Sequence, residues 1–154
     1  MPTVLERLAQ LNLTLPAAAA PAANYVPFVV SGKLVFVAGQ IPMREGKVAY
    51  QGRLGAGVSL EQGQEAARLC ALNVIAQLRE ACGGDLERVR RVVKVGVFVA
   101  CAPEFTDQPK VANGASDLLV AAFGEAGKHA RAAVGCPSLP LGVPVEVDAV
   151  VEIA

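Results

Sequence analysis

The chain has 154 residues, of which 53% are hydrophobic and 18% are charged, and its formal net charge at pH 7 is zero. This length fits one packed core with little room for a second, and the apolar composition excludes an intrinsically disordered chain. The charge balance argues against a nucleic-acid partner and against a polybasic membrane-surface module, because both need a basic excess.

The mean hydropathy of +0.43 is high for a small domain. Few charges remain to cover the surface, so we expect part of it to be buried against other subunits. No apolar run reaches the ~20 residues of a membrane-spanning helix, and Glu6 and Arg7 interrupt the start before a signal-peptide core could form. These features predict a cytoplasmic protein with reduced thiols.

The first half of the chain predicts an amphipathic helix, an extended connector, a β-hairpin, a further short strand and a glycine-rich loop. The helix covers residues 2–15 and the connector residues 16–23. The hairpin strands cover residues 28–31 and 34–38, the further strand residues 48–51 and the loop residues 52–57. The hairpin turns at Gly32 and Lys33. The segment from Gly39 to Pro42 then breaks the strand pattern.

Ser59 opens the clearest helix, because Gln62 three residues later completes a capping-box pattern. Gly83 and Gly84 supply its C-terminal stop. A long strand, a second helix and two final strands follow at residues 89–101, 111–123, 130–135 and 143–153. Two helices of this length can cover one face of a single sheet.

The last strand alternates between two kinds of side chain. One set should meet the helices and comprises Val143, Val145, Val147, Ala149 and Val151. Glu146 and Asp148 then lie on the other face, where we expect another subunit. On the preceding long strand, the same alternation places Val93, Val95, Val97 and Val99 on one face.

Several motifs carry little chemistry. The stretch from Gly124 to Lys128 resembles a phosphate loop but has two residues instead of four between its glycines, so we interpret it as a helix stop and turn. The four cysteines form no CxxC pair or Cys/His cluster, so we expect no metal site. They are interpreted as core residues, with Cys136 of most interest because it shares a segment with Arg131.

Two charged residues in apolar strands are more informative. Arg131 extends to solvent, forms an ordinary salt bridge or is held for a bidentate partner. Glu146 must be exposed, paired or functional. The single histidine, His129, is structural, solvated or connected with Arg131 two residues later, and the sequence leaves these alternatives open.

At this pair the sequence resembles a known family. The segment from Arg131 to Pro140, followed by residues 143–150, resembles the C-terminal signature of the RidA/YjgF family, also called endoribonuclease L-PSP. Residues 38–42, Ala-Gly-Gln-Ile-Pro, resemble its SGQIP segment. The resemblance runs from about residue 21 onward, so we expect a single domain over residues 1–154 with residues 1–20 as an N-terminal extension.

This resemblance implies a chorismate-mutase-like α+β subunit with one mixed sheet backed by two helices. Three such subunits form a homotrimer around a central barrel, with active sites in the clefts between subunits. Deaminase members hydrolyse reactive enamines or imines of 2-keto acids, without a metal or an organic cofactor.

The resemblance also implies roles for individual residues. Arg131 would grip the carboxylate of a small ligand in a bidentate clamp, and Glu146 would position or deprotonate the attacking water. The Gly39 backbone would line the pocket. Phe28 falls near the family's pocket tyrosine, and Asn113 near its helix-start asparagine.

The chain departs from the deaminase pattern at three pocket positions. Ala38 replaces a serine, Ala133 replaces a cysteine, and Phe28 stands near the tyrosine position. Two functions therefore stay open: a deaminase for bulkier or more apolar substrates, and a non-catalytic small-molecule binding or regulatory protein. Ribonuclease activity, reported for some members, is disfavoured by the neutral charge.

The turn at residues 139–142 connects the strands that carry Arg131 and Glu146. We expect these strands to pair or to lie close together. Both side chains should then face the same cavity between subunits.

Overall fold

The structure is a computed structural model that describes residues 1–20 and 24–154, so the last three residues of the predicted connector lie outside it. The α-helices of the described part are α1 (Val4–Gln10), α2 (Leu60–Ala81) and α3 (Gln108–Phe123). Its strands are β1 (Phe28–Ser31), β2 (Leu34–Gln40), β3 (Met43–Arg44), β4 (Lys47–Val48), β5 (Arg53–Leu54), β6 (Gly57–Val58), β7 (Val89–Ala100), β8 (Ala130–Cys136) and β9 (Val145–Ile153). Short 3₁₀ turns lie at Leu86–Arg88, Gly124–Gly127 and Pro140–Gly142.

Five strands form the main sheet, in the order β1-β2-β9-β7-β8. All neighbours are antiparallel except β7 and β8, which run parallel and are connected through α3. A parallel pair needs such a crossover, whereas β1 and β2 are joined by a tight turn. Helices α2 and α3 pack on the sheet, which confirms the expected mixed sheet backed by two helices.

Helix α2 begins and ends where the sequence predicts. The Ser59 hydroxyl accepts a hydrogen bond from the Gln62 backbone, and the Gln62 side chain accepts one from the Ser59 backbone, which completes the capping box. Just beyond the helix, Gly83 has a φ of +65°, a left-handed conformation that a residue with a Cβ adopts only at a cost.

Two buried amides on α2 hold the neighbouring loops. Asn73 donates hydrogen bonds to the carbonyls of Ile41 (3.1 Å) and Met43 (3.0 Å). Gln77, one turn later, donates to the carbonyl of Ala19 at 2.8 Å. The segment after β2 and the chain near residue 19 are thereby fixed against the helix, because a buried amide left without these partners would be costly.

The core lies between the helices and one face of the sheet. On β9, Val145, Val147 and Val151 are fully buried there, while Glu146 and Asp148 leave from the opposite face. The predicted alternation of this strand is confirmed.

The predicted alternation of β7 is wrong at its start. The pairing of β7 with β9 shifts register between Val92 and Lys94, and this bulge adds one residue to the strand. Val92 is therefore buried, and Val93 is 39% exposed instead of lying on the core face. Val95, Val97 and Val99 are buried as predicted.

Other element boundaries also differ from the predictions. Helix α1 ends well before Pro16, since Asn12 has a φ of +59°. Helix α3 begins at Gln108, because Pro109 is tolerated in a first turn where its missing N–H is not needed. Strand β2 continues to Gln40 through an irregular register, and the glycine-rich loop contains the short β5–β6 pair. The strand predicted at residues 48–51 is reduced to β4, while β8 ends at Cys136 and β9 begins at Val145.

The face of the sheet away from the helices is uncovered in the single chain; we call it the open face. It carries a shallow cavity of about 510 Å³ whose lining includes Phe36, Gly96, Phe98, Lys94 and Asp148. Phe36 is 43% exposed there, although it is a large apolar residue. No helix among the described residues is long and apolar enough to cross a membrane.

Candidate functional site

Arg131 lies on the edge strand β8, and its side chain points to the helix side of the sheet. It pairs with Val95, which is fully buried beneath the helices. Its Nη1 donates hydrogen bonds to Asn113 Oδ1 at 2.8 Å and to Ser116 Oγ at 3.1 Å. Asn113 and Ser116 are three residues apart on α3, so they present their oxygens from one face of the helix.

His129 joins this group through Ser116. Its Nε2 lies 2.9 Å from Ser116 Oγ, and its Nδ1 lies 2.6 Å from the carbonyl oxygen of Gly127. The sequence left the role of His129 open and did not single out Ser116. We call Asn113, Ser116, His129 and Arg131 the arginine cluster.

Among residues 1–20 and 24–154, no acidic side chain forms an ion pair with Arg131. Within the part of the chain that the structure describes, the ion pairs are Lys110–Asp107 (3.8 Å) and Lys128–Glu125 (2.8 Å). The guanidinium is instead held by neutral oxygens. This excludes an ordinary salt bridge among the described residues. Arg131 is exposed, so the structure is compatible both with a side chain that extends to solvent and with a group held for a bidentate partner.

Two further residues of β8, Ala133 on the face of Arg131 and Cys136 on the opposite face, add little polar chemistry. Ala133 pairs with the buried Val97, so it lies on the same face as Arg131 and packs against the core. Burial raises the pKa of the Cys136 thiol, and the neighbouring Cys101 and Glu146 raise it further. A thiol with a raised pKa is a weak nucleophile at neutral pH.

Glu146 lies on the opposite face of the sheet, beside Gly39. It alternates with the buried Val145 and Val147, so its carboxylate points away from the helices. A Cβ at residue 39 would collide with this carboxylate, which explains the glycine. The two residues border a cavity of about 390 Å³, here called the glutamate cavity. Its lining also includes Tyr25, Pro27, Ile41, Met43, Asn73, Pro140 and Leu141.

The environment of Glu146 disfavours its charge. Burial raises the pKa of Glu146, and the Asp148 carboxylate on the same face raises it further. Burial also raises the pKa of Asp148, although a backbone hydrogen bond at Gly96 and the nearby Lys94 oppose that shift. Glu146 is thus a half-buried carboxylate that holds its proton to a higher pH than usual.

Phe28 does not line the glutamate cavity in the single chain. Phe28 pairs with Val37, which faces the helices, and its side chain packs against the core. Tyr25 lines the glutamate cavity instead. The sequence analysis overlooked it, although it is one of only two tyrosines in the chain. Ala38 lines the cavity of the open face.

Arg131 and Glu146 do not meet within one chain. Strand β7 lies between their strands, so β8 and β9 do not pair. Of the two expected arrangements the other holds, because the strands lie close together, one strand apart in the same sheet. The two side chains leave from opposite faces of the sheet. A site that uses both requires more than one copy of the chain.

No three His, Cys, Asp or Glu side chains within residues 1–20 and 24–154 approach closely enough to hold a metal ion. The charged groups of the candidate site are the guanidinium of Arg131 and the half-buried carboxylate of Glu146.

Comparison with known proteins agrees with this fold. A family model described as "YjgF/chorismate_mutase-like, putative endoribonuclease" matches residues 5–153. The match begins within the segment predicted as an N-terminal extension. The chain therefore belongs to the YjgF/chorismate-mutase-like family, which is the RidA/YjgF family that the sequence resembles.

Similar proteins come from distant organisms. Protein TCP17 of Trypanosoma cruzi is 53% identical over 151 residues, which cover 97% of this chain and 94% of that protein. The crystal structure of Atu1372 from Agrobacterium tumefaciens, described as having unknown function, is 51% identical with a TM-score of 0.94 and covers 98% of this chain and 92% of its own. A Shewanella oneidensis structure, described as "a putative endoribonuclease", is 38% identical with a TM-score of 0.95 and covers 99% of this chain and 100% of its own.

Proposed function

We propose that this protein hydrolyses carboxylate-bearing imines and enamines to 2-keto acids and ammonia, in clefts between the subunits of a homotrimer. The observation that carries the proposal is the state of Arg131. Neutral oxygens of Asn113 and Ser116 orient its guanidinium, and no acidic side chain of the described residues pairs with it. A fixed, unpaired guanidinium suits the planar carboxylate of a small ligand.

Glu146 supplies the second function, activation of water. Its carboxylate accepts a proton from a water molecule, whose oxygen attacks the imine carbon to give a carbinolamine. That intermediate expels ammonia as the proton passes to the leaving nitrogen, and the carbonyl of the 2-keto acid forms. An enamine first takes up a proton at carbon and releases one from its nitrogen to become the imine. The half-buried position of Glu146 supports this role, because a carboxylate with a raised pKa is a stronger base.

The positions of these two groups support an assembly of several copies, which we propose to be the homotrimer. Arg131 is at the β8 edge on the helix side, and Glu146 is on the opposite face of the sheet. Packing the β8 edge of one copy against the glutamate cavity of the next would bring them together. The apolar residues that the single chain leaves exposed near β8 and on the open face support such packing. They include Val29, Phe36 and Val134.

The lining of the glutamate cavity favours an apolar substrate side chain. Its lining includes the apolar residues Pro27, Ile41, Met43 and Leu141. Ala38 and Ala133 replace the serine and cysteine of deaminase members. We therefore expect imines derived from apolar amino acids to be better substrates than those derived from serine or threonine.

The test is hydrolysis of imines generated in situ from a panel of amino acids by an oxidase. The wild type should accelerate ammonia release, and Arg131→Ala should abolish that acceleration. Arg131→Lys should weaken binding of a 2-keto acid by about 1.5–3 kcal/mol, because lysine cannot make a bidentate contact. The exposed Arg79→Lys serves as the matched control and should leave both measurements unchanged.

A binding protein without turnover is the second candidate, favoured by the two alanines in place of polar groups. It wins if the wild type hydrolyses none of the imines yet binds 2-keto acids through Arg131. Ribonuclease activity is the least supported, since a chain with zero net charge offers no electrostatic track for RNA.

A further inference from the structure

We infer that Ser116 and His129 are positioning residues for Arg131. Because they engage Nη1, the edge formed by Nε and Nη2 stays available, and this edge binds the substrate carboxylate. The inference rests on the proposed function for the identity of that carboxylate. It concerns residues that the sequence analysis either missed or left open.

The carbonyl group of Gly127 fixes the direction of the hydrogen bonds among His129, Ser116 and Arg131. A backbone carbonyl can only accept, so the 2.6 Å contact to Gly127 places the proton of the neutral imidazole on Nδ1. Nε2 is then an acceptor, and the Ser116 hydroxyl must donate to it across 2.9 Å. With its only hydrogen committed, Ser116 Oγ presents its lone pairs to Nη1 of Arg131 at 3.1 Å.

The second acceptor completes the orientation of the guanidinium. Nη1 carries two hydrogens, and Asn113 Oδ1 takes the other at 2.8 Å. Three of the five guanidinium N–H groups then remain, one on Nε and two on Nη2. None of them has a hydrogen-bond partner among the described residues. One N–H from each nitrogen points in parallel along one edge, which matches the two oxygens of a carboxylate.

Arg131 needs this support because of where it lies. Its side chain is exposed at the edge of the sheet, and a long free side chain would lose rotamer entropy when a ligand binds. Ser116 and His129 are partly buried, so they offer a firmer base than solvent does. Orientation in advance of binding lowers that entropic cost.

Binding of 2-oxobutanoate, used as the probe, tests the inference by calorimetry. Ser116→Ala and His129→Leu should each raise its Kd by roughly 3- to 10-fold, the range expected for one lost hydrogen bond. They should raise KM for an accepted imine similarly and change kcat little. His129→Gln keeps an acceptor near the Nε2 position and should recover most of the affinity. Asp117→Asn, the exposed neighbour of Ser116 on α3, is the control and should bind as the wild type does.

Nuclear magnetic resonance gives a readout that a general loss of stability would not produce. The chain contains one histidine, so its imidazole signals need no assignment to a residue. We expect the Nδ1–H tautomer in the free protein. Adding 2-oxobutanoate should shift the imidazole signals of the wild type, and Ser116→Ala should remove that shift while the ligand still binds at higher concentration.

Three results would overturn the inference: an Nε2–H tautomer, ligand binding that leaves the imidazole signals unmoved, or wild-type affinity in His129→Leu. Failure of the proposed function is a separate result. It is shown by a wild type that neither binds a 2-keto acid nor hydrolyses any imine, and the tautomer measured without ligand still decides whether the hydrogen bonds run as inferred.

Discussion

Glu146 and Asp148 are two carboxylates on one face of β9, and the pKa of each is raised chiefly by burial. The folded protein therefore binds protons at these positions over a pH range in which the unfolded chain has released them. Where the folded state binds more protons, stability falls as pH rises. The loss begins near the ordinary glutamate value of 4.5 and is complete above the raised value of the folded state.

Glu146→Gln should consequently stabilise the protein at neutral pH while it abolishes turnover. The amide carries no charge to desolvate, but it also cannot accept a proton from water. Solvent screens a half-exposed carboxylate, so the gain in Tm should stay below about 4 °C. The gain should shrink toward about pH 4, where the wild-type carboxylate is protonated as well.

Thermal unfolding measured from about pH 4 to about pH 8 checks this prediction beside the imine assay. Glu152→Gln provides the control, since Glu152 is an exposed carboxylate on the same strand. A Glu146→Gln variant that is less stable than the wild type at neutral pH would show that the carboxylate makes a favourable contact. Unchanged hydrolysis would remove Glu146 from the mechanism.

At this scale the sequence was most informative where a motif has fixed spacing. Arg131, Glu146 and Gly39 could be singled out from their segments alone. Ser116 could not, because it is an ordinary helix residue whose partners come from β8 and from the turn before it. Such contacts depend on tertiary packing, and local pattern does not encode it.

At the scale of elements, the crossing of α2 and α3 depends on one glycine. A Cβ at residue 114 would collide with the backbone carbonyl of Gln64, so the two helices approach too closely there for any side chain. Gln64 also donates a hydrogen bond to the carbonyl of Lys110 at 2.9 Å. Since α3 carries Asn113 and Ser116, this contact also sets the height of the arginine cluster above the sheet.

Gly114→Ala should therefore destabilise the protein by about 1–3 kcal/mol, the usual cost of overpacking. This should occur although alanine favours a helix by about 1 kcal/mol over glycine. Gly63→Ala on α2 is the matched control, because the close atoms there belong to the end of the Leu54 side chain and not to backbone. Urea unfolding of both variants measures the difference, and equal stabilities would show that the helices can separate at no cost.

Elements were predictable where one local rule decided them. The capping box of α2 and the alternation of β9 are examples. The bulge in β7 was not predictable, because an unbroken run of valines and arginines has no signal for an extra residue. The early end of α1 was not predictable from the spacing of its apolar residues either. Leu5 and Leu11 fit the helical spacing, yet both remain exposed.

At the scale of the whole molecule, the open face predicts assembly. Phe36 on this face and Leu5 on α1 are each 43% exposed in the single chain. Phe36→Lys should dissociate the proposed homotrimer and lower Tm, because a charge would be buried between subunits. Leu5→Lys, an equally exposed change away from the sheet, should leave both properties unchanged. Light scattering at micromolar concentration measures the oligomeric state of the wild type and of both variants. A monomeric wild type would refute the assembly.

The placement of Arg131 and Glu146 on opposite faces of one sheet has a genetic consequence. In the proposed assembly each catalytic unit draws these residues from two different polypeptides. Arg131→Ala and Glu146→Gln would then be defects that complement one another. When the two inactive proteins are unfolded together and reassembled in equal amounts, random association should rebuild roughly one intact site in four. Organisms that carried one copy of each allele would keep part of the activity that either allele alone abolishes.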